Sequence, residues 1–203
     1  MRIGVLSDTH GGLKSWKEIM GGVFSQVDLV IHAGDVFYHG TRNLLPEQYD
    51  TISLAQEINH VKIPLIVCRG NCDSEVDQVV VDLPIQSPYV FCQFDGLRML
   101  VHHGHLFTEE DVARLASRWN FGVCISGHTH IPSLMQKRNV VFLNPGSPAS
   151  PKGKGIPTVG LIETKKGKCN STEISILDYL NNRVIERLEI PEHYPATPHF
   201  ENC

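Results

Sequence analysis

Asp8 and His10 stand two residues apart just after an apolar run, and His128 and His130 repeat that spacing much later in the chain. Between them lie Gly34-Asp35, Gly70-Asn71 and His103-Gly104-His105, each directly after another apolar segment. Carboxylate and amide oxygens together with imidazole nitrogens suit Mn²⁺, Fe, Zn²⁺ or Ni²⁺, not a metal selected by thiolates. On an extended backbone, residues i and i+2 point the same way. Each of the two pairs is therefore expected to offer both its side chains to one ion. The glycines before Asp35, Asn71 and His128 remove a side chain where backbone must pass close to such a cluster.

Asp8, His10, Asp35, Asn71, His103, His128 and His130 are too many for one ion, which takes about three or four protein ligands when it keeps an open position. Two divalent ions sharing a carboxylate use the whole set, and such pairs activate water for attack on phosphate esters. Two divalent ions carry more charge than two aspartates and a hydroxide remove. The site therefore favours an anion.

Five apolar segments must deliver these residues. Residues 2–7, 29–33 and 64–68 read as buried strands. Helical spacing covers 13–24 and a second helix is expected around 51–59. Strand, helix, strand, helix, strand argues a layered α/β sheet, and open α/β sheets bind ligands beyond the carboxyl ends of their strands. Residues 90–94 and 97–101, joined by Asp95-Gly96, give a hairpin signal. A helix is expected over 109–119, a short strand at 123–126, and a hairpin from 134–137 and 140–143. Residues 159–163, 173–179 and 184–190 read as a closing antiparallel set, with a turn at 165–168. The expected organisation is one domain over 1–190, then a Pro-rich polar tail over 191–203.

The chain has 203 residues, 41% hydrophobic and 20% charged, with a net charge of −4. That length buries a core without disulfides. The charge does not indicate a nucleic-acid backbone as partner. No apolar run approaches the ~18 residues of a membrane span, and the six cysteines form no C-x-x-C pair. Reduced thiols and a cytoplasmic location are expected, which leaves the sequon at Asn170 idle. No dinucleotide fingerprint or Walker loop is present. Ser147 lacks the G-x-S-x-G elbow of a serine nucleophile. There are 11 histidines; His32 and His102, on or beside buried strands, are expected to be structural.

Taken in order, Asp8-x-His10, Gly34-Asp35, Gly70-Asn71, His103-Gly104-His105 and Gly127-His128-x-His130 resemble the five signature blocks of the calcineurin-like metallophosphoesterases. The longer stretches His39-Gly40-x-Arg42-Asn43, Asn71-Cys72-Asp73-Ser74-Glu75 and Asn144-Pro145-Gly146-Ser147 are similar to the small bacterial phosphodiesterases of the YfcE type. The resemblance spans about residues 1–165.

It implies a two-sheet β-sandwich flanked by helices (αββα), with the C-terminal antiparallel strands forming the second sheet. It implies that Asp8, His10 and His130 hold one metal, that Asn71, His103 and His128 hold the other, and that Asp35 bridges. Asp35, Asn71 and His103 then sit closest to the reaction. Mn²⁺ is the expected metal, and a hydroxide activated by the two ions is the nucleophile. The implied activity is hydrolysis of a small phosphodiester. Phosphomonoester or phosphoprotein hydrolysis is the alternative, as is a non-catalytic scaffold like the retromer subunit vacuolar sorting protein 29. Edge strands suit a homo-oligomer.

Many family members carry His where this chain has Cys72. A thiol is a poorer general acid than imidazole near neutral pH, which favours substrates with good leaving groups. His39, Arg42, Cys72 and His105 are candidate phosphate contacts, and Lys152 and Lys154 candidate basic rim residues.

Overall fold

The structure is a computed structural model, and it describes residues 1–165 and 171–191. Strands β1 (Arg2–Leu6), β2 (Leu29–His32) and β3 (Leu65–Cys68) alternate with helices α1 (Leu13–Gly21) and α2 (Thr51–His60). Next come α3 (Glu75–Val80), β4 (Ile85–Gln86), β5 (Tyr89–Phe94), β6 (Leu97–His102), α4 (Glu109–Trp119) and β7 (Val123–Ile125). The chain closes with β8 (Ser133–Lys137), β9 (Val140–Asn144), β10 (Thr158–Lys165), β11 (Ser171–Asp178) and β12 (Arg183–Pro191).

Two sheets form. One has seven strands in the order β12-β11-β10-β1-β2-β3-β4, the other five in the order β5-β6-β7-β9-β8. Between them lies an apolar layer that includes Ile3, Val5, Ile31, Met99, Ile125, Leu143, Ile162 and Ile174. Trp16, Ile19, Leu54 and Ile58 of α1 and α2 cover the outer face of the larger sheet. Val112 and Ala116 of α4 pack on Leu100 and Cys124 of the smaller. These are the four layers of an αββα sandwich.

The C-terminal antiparallel strands are not the second sheet. β10 pairs antiparallel with β1, register Gly4 to Leu161, and so extends the first sheet. The reason is that β1 is buried on both faces and needs a neighbour on each side. β2 supplies one and β10 the other. The second sheet is built from the two hairpins β5-β6 and β8-β9, with β7 between them.

Local chemistry sets several boundaries. Thr108 caps α4, with Asp111 reaching back to its N–H, and Asn120 ends the helix in the left-handed conformation. Asp50 caps α2 by accepting from the Ser53 N–H. α1 stops at Gly21-Gly22, short of the expected Phe24, whose N–H turns back to the Ile19 carbonyl. α3 and β4 are not among the expected elements: α3 has six residues, none of them buried, and only the Ser74-x-x-Asp77 capping box marks its start. Most of the expected turn at 165–168, and the tail beyond Pro191, lie outside the described residues.

Candidate metal centre

β1, β2 and β3 run parallel, as do β6 and β7. Their carboxyl ends therefore bring five loops to one end of the sandwich. Backbone bonds stitch these loops together. The Asp8 N–H donates to the Gly34 carbonyl (2.9 Å), the His10 N–H to the Asp35 carbonyl (3.0 Å) and the Gly127 N–H to the His103 carbonyl (2.9 Å). Side chains add more: Asp35 Oδ1 accepts from the Cys72 N–H at 2.7 Å, and Asp8 Oδ2 from the His128 N–H at 2.9 Å. Two glycines are required by close approach. A Cβ on Gly70 would collide with the Asp35 carboxylate, and one on Gly127 with Ser7 Oγ.

The paired residues do not converge from extended backbone, as their spacing suggested. Asp8, His10, Asp35, His128 and His130 all have positive φ, between 47° and 69°. The chain coils at each strand end so that its N–H groups can reach the neighbouring loop. Asp and His are among the non-glycine residues that enter this region most readily. Each such residue still stores strain, and strain of this kind gathers at functional sites.

Asp8, His10 and His130 place their ligating atoms within 4.8 Å of one another, and so do Asp8, Asp35 and His103. Asn71 joins through its Oδ1, 3.1 Å from His103 Nε2. The His128 ring stands 5.2 Å from that of His103, at the exposed mouth. The other five, apart from Asn71, are buried.

The donor chemistry fits cations. His10 Nδ1 donates to the Tyr38 carbonyl (2.6 Å), His130 Nδ1 to the Ser150 carbonyl (2.7 Å) and His103 Nδ1 to the Ala33 carbonyl (2.8 Å). A neutral ring with Nδ1 protonated presents a lone pair at Nε2. Those lone pairs face one another and the carboxylates. His10 Nε2 is 3.1 Å from His130 Nε2, and Asp8 Oδ1 lies 3.3 Å from His130 Nε2. Asp35 Oδ2 lies 3.3 Å from His103 Nε2. Asp8 Oδ1 is buried with no hydrogen-bond donor. Ring nitrogens crowded against one another and against two buried carboxylates need positive charge between them, as a proton or a metal ion. The backbone bonds at Nδ1 are the outer contacts that orient metal-binding imidazoles.

Burial pushes the Asp35 carboxyl up, but the hydrogen bond and charge of His103 outweigh it and hold Asp35 well below the usual range. Asp8 is likewise held low: burial raises it, and His10, His103 and His130 reverse that. Desolvation lowers His103, but the Asp35 hydrogen bond and the charges of Asp8 and Asp35 outweigh it and push the ring up to about 9, so its Nε2 holds a positive charge against these carboxylates, either a proton or a metal ion. Both carboxylates are thus ionised well below neutral pH.

The remaining candidates divide. Arg42, Cys72 and Lys152 line a cavity of about 360 Å³ together with Asp35, Asn71, His128 and His130. His105 lies at the same end, 5.4 Å from His103 and 6.2 Å from His128 between ring centroids. His39 turns away, its ring packed between Tyr38 (4.8 Å) and Tyr49 (5.3 Å). Lys154 lines a different pocket, with Ile131 and Ile185. His32 is buried and bonded to Thr9 and to the Gly34 N–H. His102 is buried beside Phe107.

Two residues carry positioning bonds that sequence reasoning missed. The buried Asp73 carboxylate accepts from the N–H groups of Asp35 (2.8 Å), Val36 (2.7 Å) and Gly70 (2.7 Å), tying the second strand's loop to the third's. Ser147 Oγ donates to the Asp8 carbonyl at 2.7 Å and accepts from the Ser150 N–H.

The model of the calcineurin-like phosphoesterase superfamily domain matches residues 1–167. The chain belongs to this superfamily. Phosphodiesterase YfcE of Escherichia coli K12 is 36% identical over 165 residues, which cover 80% of this chain and 88% of that protein. Phosphodiesterase MJ0936 of Methanocaldococcus jannaschii is 27% identical over 175 residues, 82% of this chain and 95% of that one. The solved structure of the E. coli phosphoesterase YfcE superposes with a TM-score of 0.79 at 30% identity, covering 93% of this chain and 98% of that one. Vacuolar protein sorting 29 from Cryptosporidium parvum shares the fold, with a TM-score of 0.65 at 17% identity over 94% of this chain and 97% of that one. As a calcineurin-like phosphoesterase, the chain is a phosphoester hydrolase whose superfamily implies divalent metal ions.

Proposed function

We propose that the chain is a phosphodiesterase with two divalent ions, Asp8, His10 and His130 holding one and Asn71, His103 and His128 the other, with Asp35 shared. The observation that carries this reading is the cluster of ligating atoms: three Nε2 atoms, each within 3.6 Å of an Asp8 or Asp35 carboxylate oxygen, with their Nδ1 atoms fixed on backbone carbonyls and Asp8 Oδ1 left without a hydrogen-bond partner. Diester substrates are favoured because the relatives YfcE and MJ0936 are both named phosphodiesterases. The oxygen and imidazole donor set admits Mn²⁺, Fe, Zn²⁺ or Ni²⁺, and Mn²⁺ is the metal proposed here. The described cysteines 68, 72, 92 and 124 are free thiols, which agrees with the expected cytoplasmic location.

The bound ions supply Lewis acidity toward phosphoryl oxygens and make water a competent nucleophile at neutral pH. The chain's own groups fix the geometry. Tyr38, Ala33 and Ser150 carbonyls lock three imidazoles in one tautomer and orientation. Asp73 holds the loops of Asp35 and Asn71 together. His105 stands exposed at the mouth, on the path by which an ester would enter. Burial and the Asp35 charge push the Cys72 thiol up to about 12, so it does not deliver a proton to a leaving group at neutral pH. Substrates with good leaving groups, or protonation by His105, follow from that.

The test is hydrolysis of bis(p-nitrophenyl) phosphate by metal-loaded and chelator-treated protein. Turnover restored only by added Mn²⁺ or another divalent ion supports the reading. Turnover that survives chelation refutes it. Tight binding of two metals with no turnover on diesters or monoesters points instead to a scaffold.

A further inference from the structure

We propose that Arg42 and Lys152 form a second anion subsite beside the metal centre, so that the preferred substrates are phosphodiesters carrying a further negatively charged group. The inference rests on the two-metal reading above and names the substrate class for that site. Both side chains line the same cavity of about 360 Å³ as Asp35, Asn71, His128 and His130. Several cations of this acidic chain sit against carboxylates, as Lys14 on Glu47, Lys17 on Glu57, Arg69 on Glu75 and Arg187 on Glu173, while among the described residues Lys62, Arg98, Arg118, Arg138 and Lys154 do not; what sets Arg42 and Lys152 apart is that they face the metal-ligand cavity. Among the described residues Arg42 and Lys152 have no such partner.

Their loops are built rather than loose. The Lys152 N–H donates to the His130 carbonyl at 3.1 Å. Ser150, two residues earlier, accepts from His130 Nδ1, and its N–H reaches Ser147 Oγ, which is itself bonded to the Asp8 carbonyl. On the other loop, Asn43 Nδ2 donates to the His39 carbonyl at 2.8 Å, and Gly40 packs against Cys72 Sγ. Each cation thus has a fixed base beside a candidate ligand.

Charge counting separates the subsite from the reacting phosphate. Two divalent ions against Asp8 and Asp35 leave two positive charges. A monoanionic diester and a hydroxide cancel them. Arg42 and Lys152 then remain uncompensated, and a phosphate, phosphonate or carboxylate elsewhere on the substrate completes the balance. Arg suits such groups through its paired N–H donors, and Lys as a point charge.

A matched pair of substrates tests this: p-nitrophenyl ethyl phosphate, and the same diester with a 2-phosphonoethyl group in place of ethyl. In the metal-loaded wild type, KM for the phosphonate-bearing diester should be at least ~10-fold lower. In the double variant Arg42→Ala/Lys152→Ala the ratio of the two KM values should fall below ~3-fold, and Arg42→Lys/Lys152→Arg should restore it. Calorimetric titration with the non-hydrolysable methylene analogues of both diesters reads the same ratio as Kd. Equal constants for the two ligands in the wild type, or a ratio unmoved in the double variant, overturn the proposal. Absence of turnover with a retained Kd ratio would instead count against the phosphodiesterase reading alone.

Discussion

The Nε2 atoms of His10 and His130 face each other across 3.1 Å, while both rings spend their Nδ1 protons on backbone carbonyls. Two ring nitrogens at that separation need a positive charge against them, a proton or a metal ion, and the carboxylates of Asp8 and Asp35 beside them favour either. His130→Ala should therefore reduce bound metal from two ions per chain to one, and lower diester turnover by at least ~100-fold. Elemental analysis and calorimetric titration with Mn²⁺ measure the first effect, steady-state kinetics the second. Full retention of two ions would exclude His130 as a ligand.

Asp73 offers a sharper structural test. Its Oδ2 accepts from Asp35 and Gly70, and its Oδ1 from Val36. In Asp73→Asn, either placement of the amide NH₂ sets a donor against at least one of these N–H groups. Leaving buried donors unpaired costs about 1–3 kcal/mol each, so unfolding in urea should show a loss of about that size or somewhat more. The Mn²⁺ dissociation constant should rise at least ~10-fold, because the loops of Asp35 and Asn71 lose their common anchor. Loss of stability with unchanged metal affinity would make Asp73 a fold residue only.

Cys72 limits the leaving groups the site can handle. Burial and Asp35 hold its thiol protonated, pushed up to about 12. An imidazole has an ordinary pKa of about 6.5 and donates a proton far more readily than this thiol. Cys72→His should raise kcat for alkyl phosphodiesters and phosphomonoesters by about 10–100-fold, up to the low end of what a well-placed general acid contributes. Little change is expected for p-nitrophenyl esters, whose leaving group needs no proton. A uniform effect on both substrate classes would mean that the substitution altered binding.

His32 gives a pH dependence independent of turnover. Burial lowers its pKa to about 4 from an ordinary 6.5. Above pH 6.5 neither state is protonated there and the full stability is present. As pH falls through 6.5, the unfolded chain takes up a proton that the folded chain refuses, so stability declines until about pH 4. The difference corresponds to about 3 kcal/mol. His32→Asn keeps an acceptor for the Gly34 N–H. In chelated protein, urea midpoints measured from pH 7.5 to 4.5 should fall less steeply for this variant than for the wild type. Parallel slopes would show that His32 does not contribute.

Much of this molecule was legible because its signals are local. Strand ends followed by Asp, Asn or His can be read one segment at a time, and Thr108-x-x-Asp111 followed by an amphipathic run marks α4 within a residue. What escaped was non-local. No pattern in 158–165 announces that β10 pairs with β1 and not with the hairpin strands nearer in sequence. Asp73 looked like one more polar loop residue, because its partners Asp35 and Val36 lie nearly forty positions away. His39 packs against Tyr38 and Tyr49 while Arg42, three residues on, lines the metal-ligand cavity, and no pattern in the sequence separates the two.

Five of the seven candidate ligands occupy left-handed backbone. Strain of order 1 kcal/mol at each amounts to about 5 kcal/mol, comparable with the whole net stability of a small domain. A lineage released from selection for chemistry would gain by drifting to glycine at these positions, since glycine enters that region freely. This chain carries Asp or His at all five. Glycine at any one of them should therefore trade metal affinity for stability, which makes these five positions a place where binding and folding pull in opposite directions.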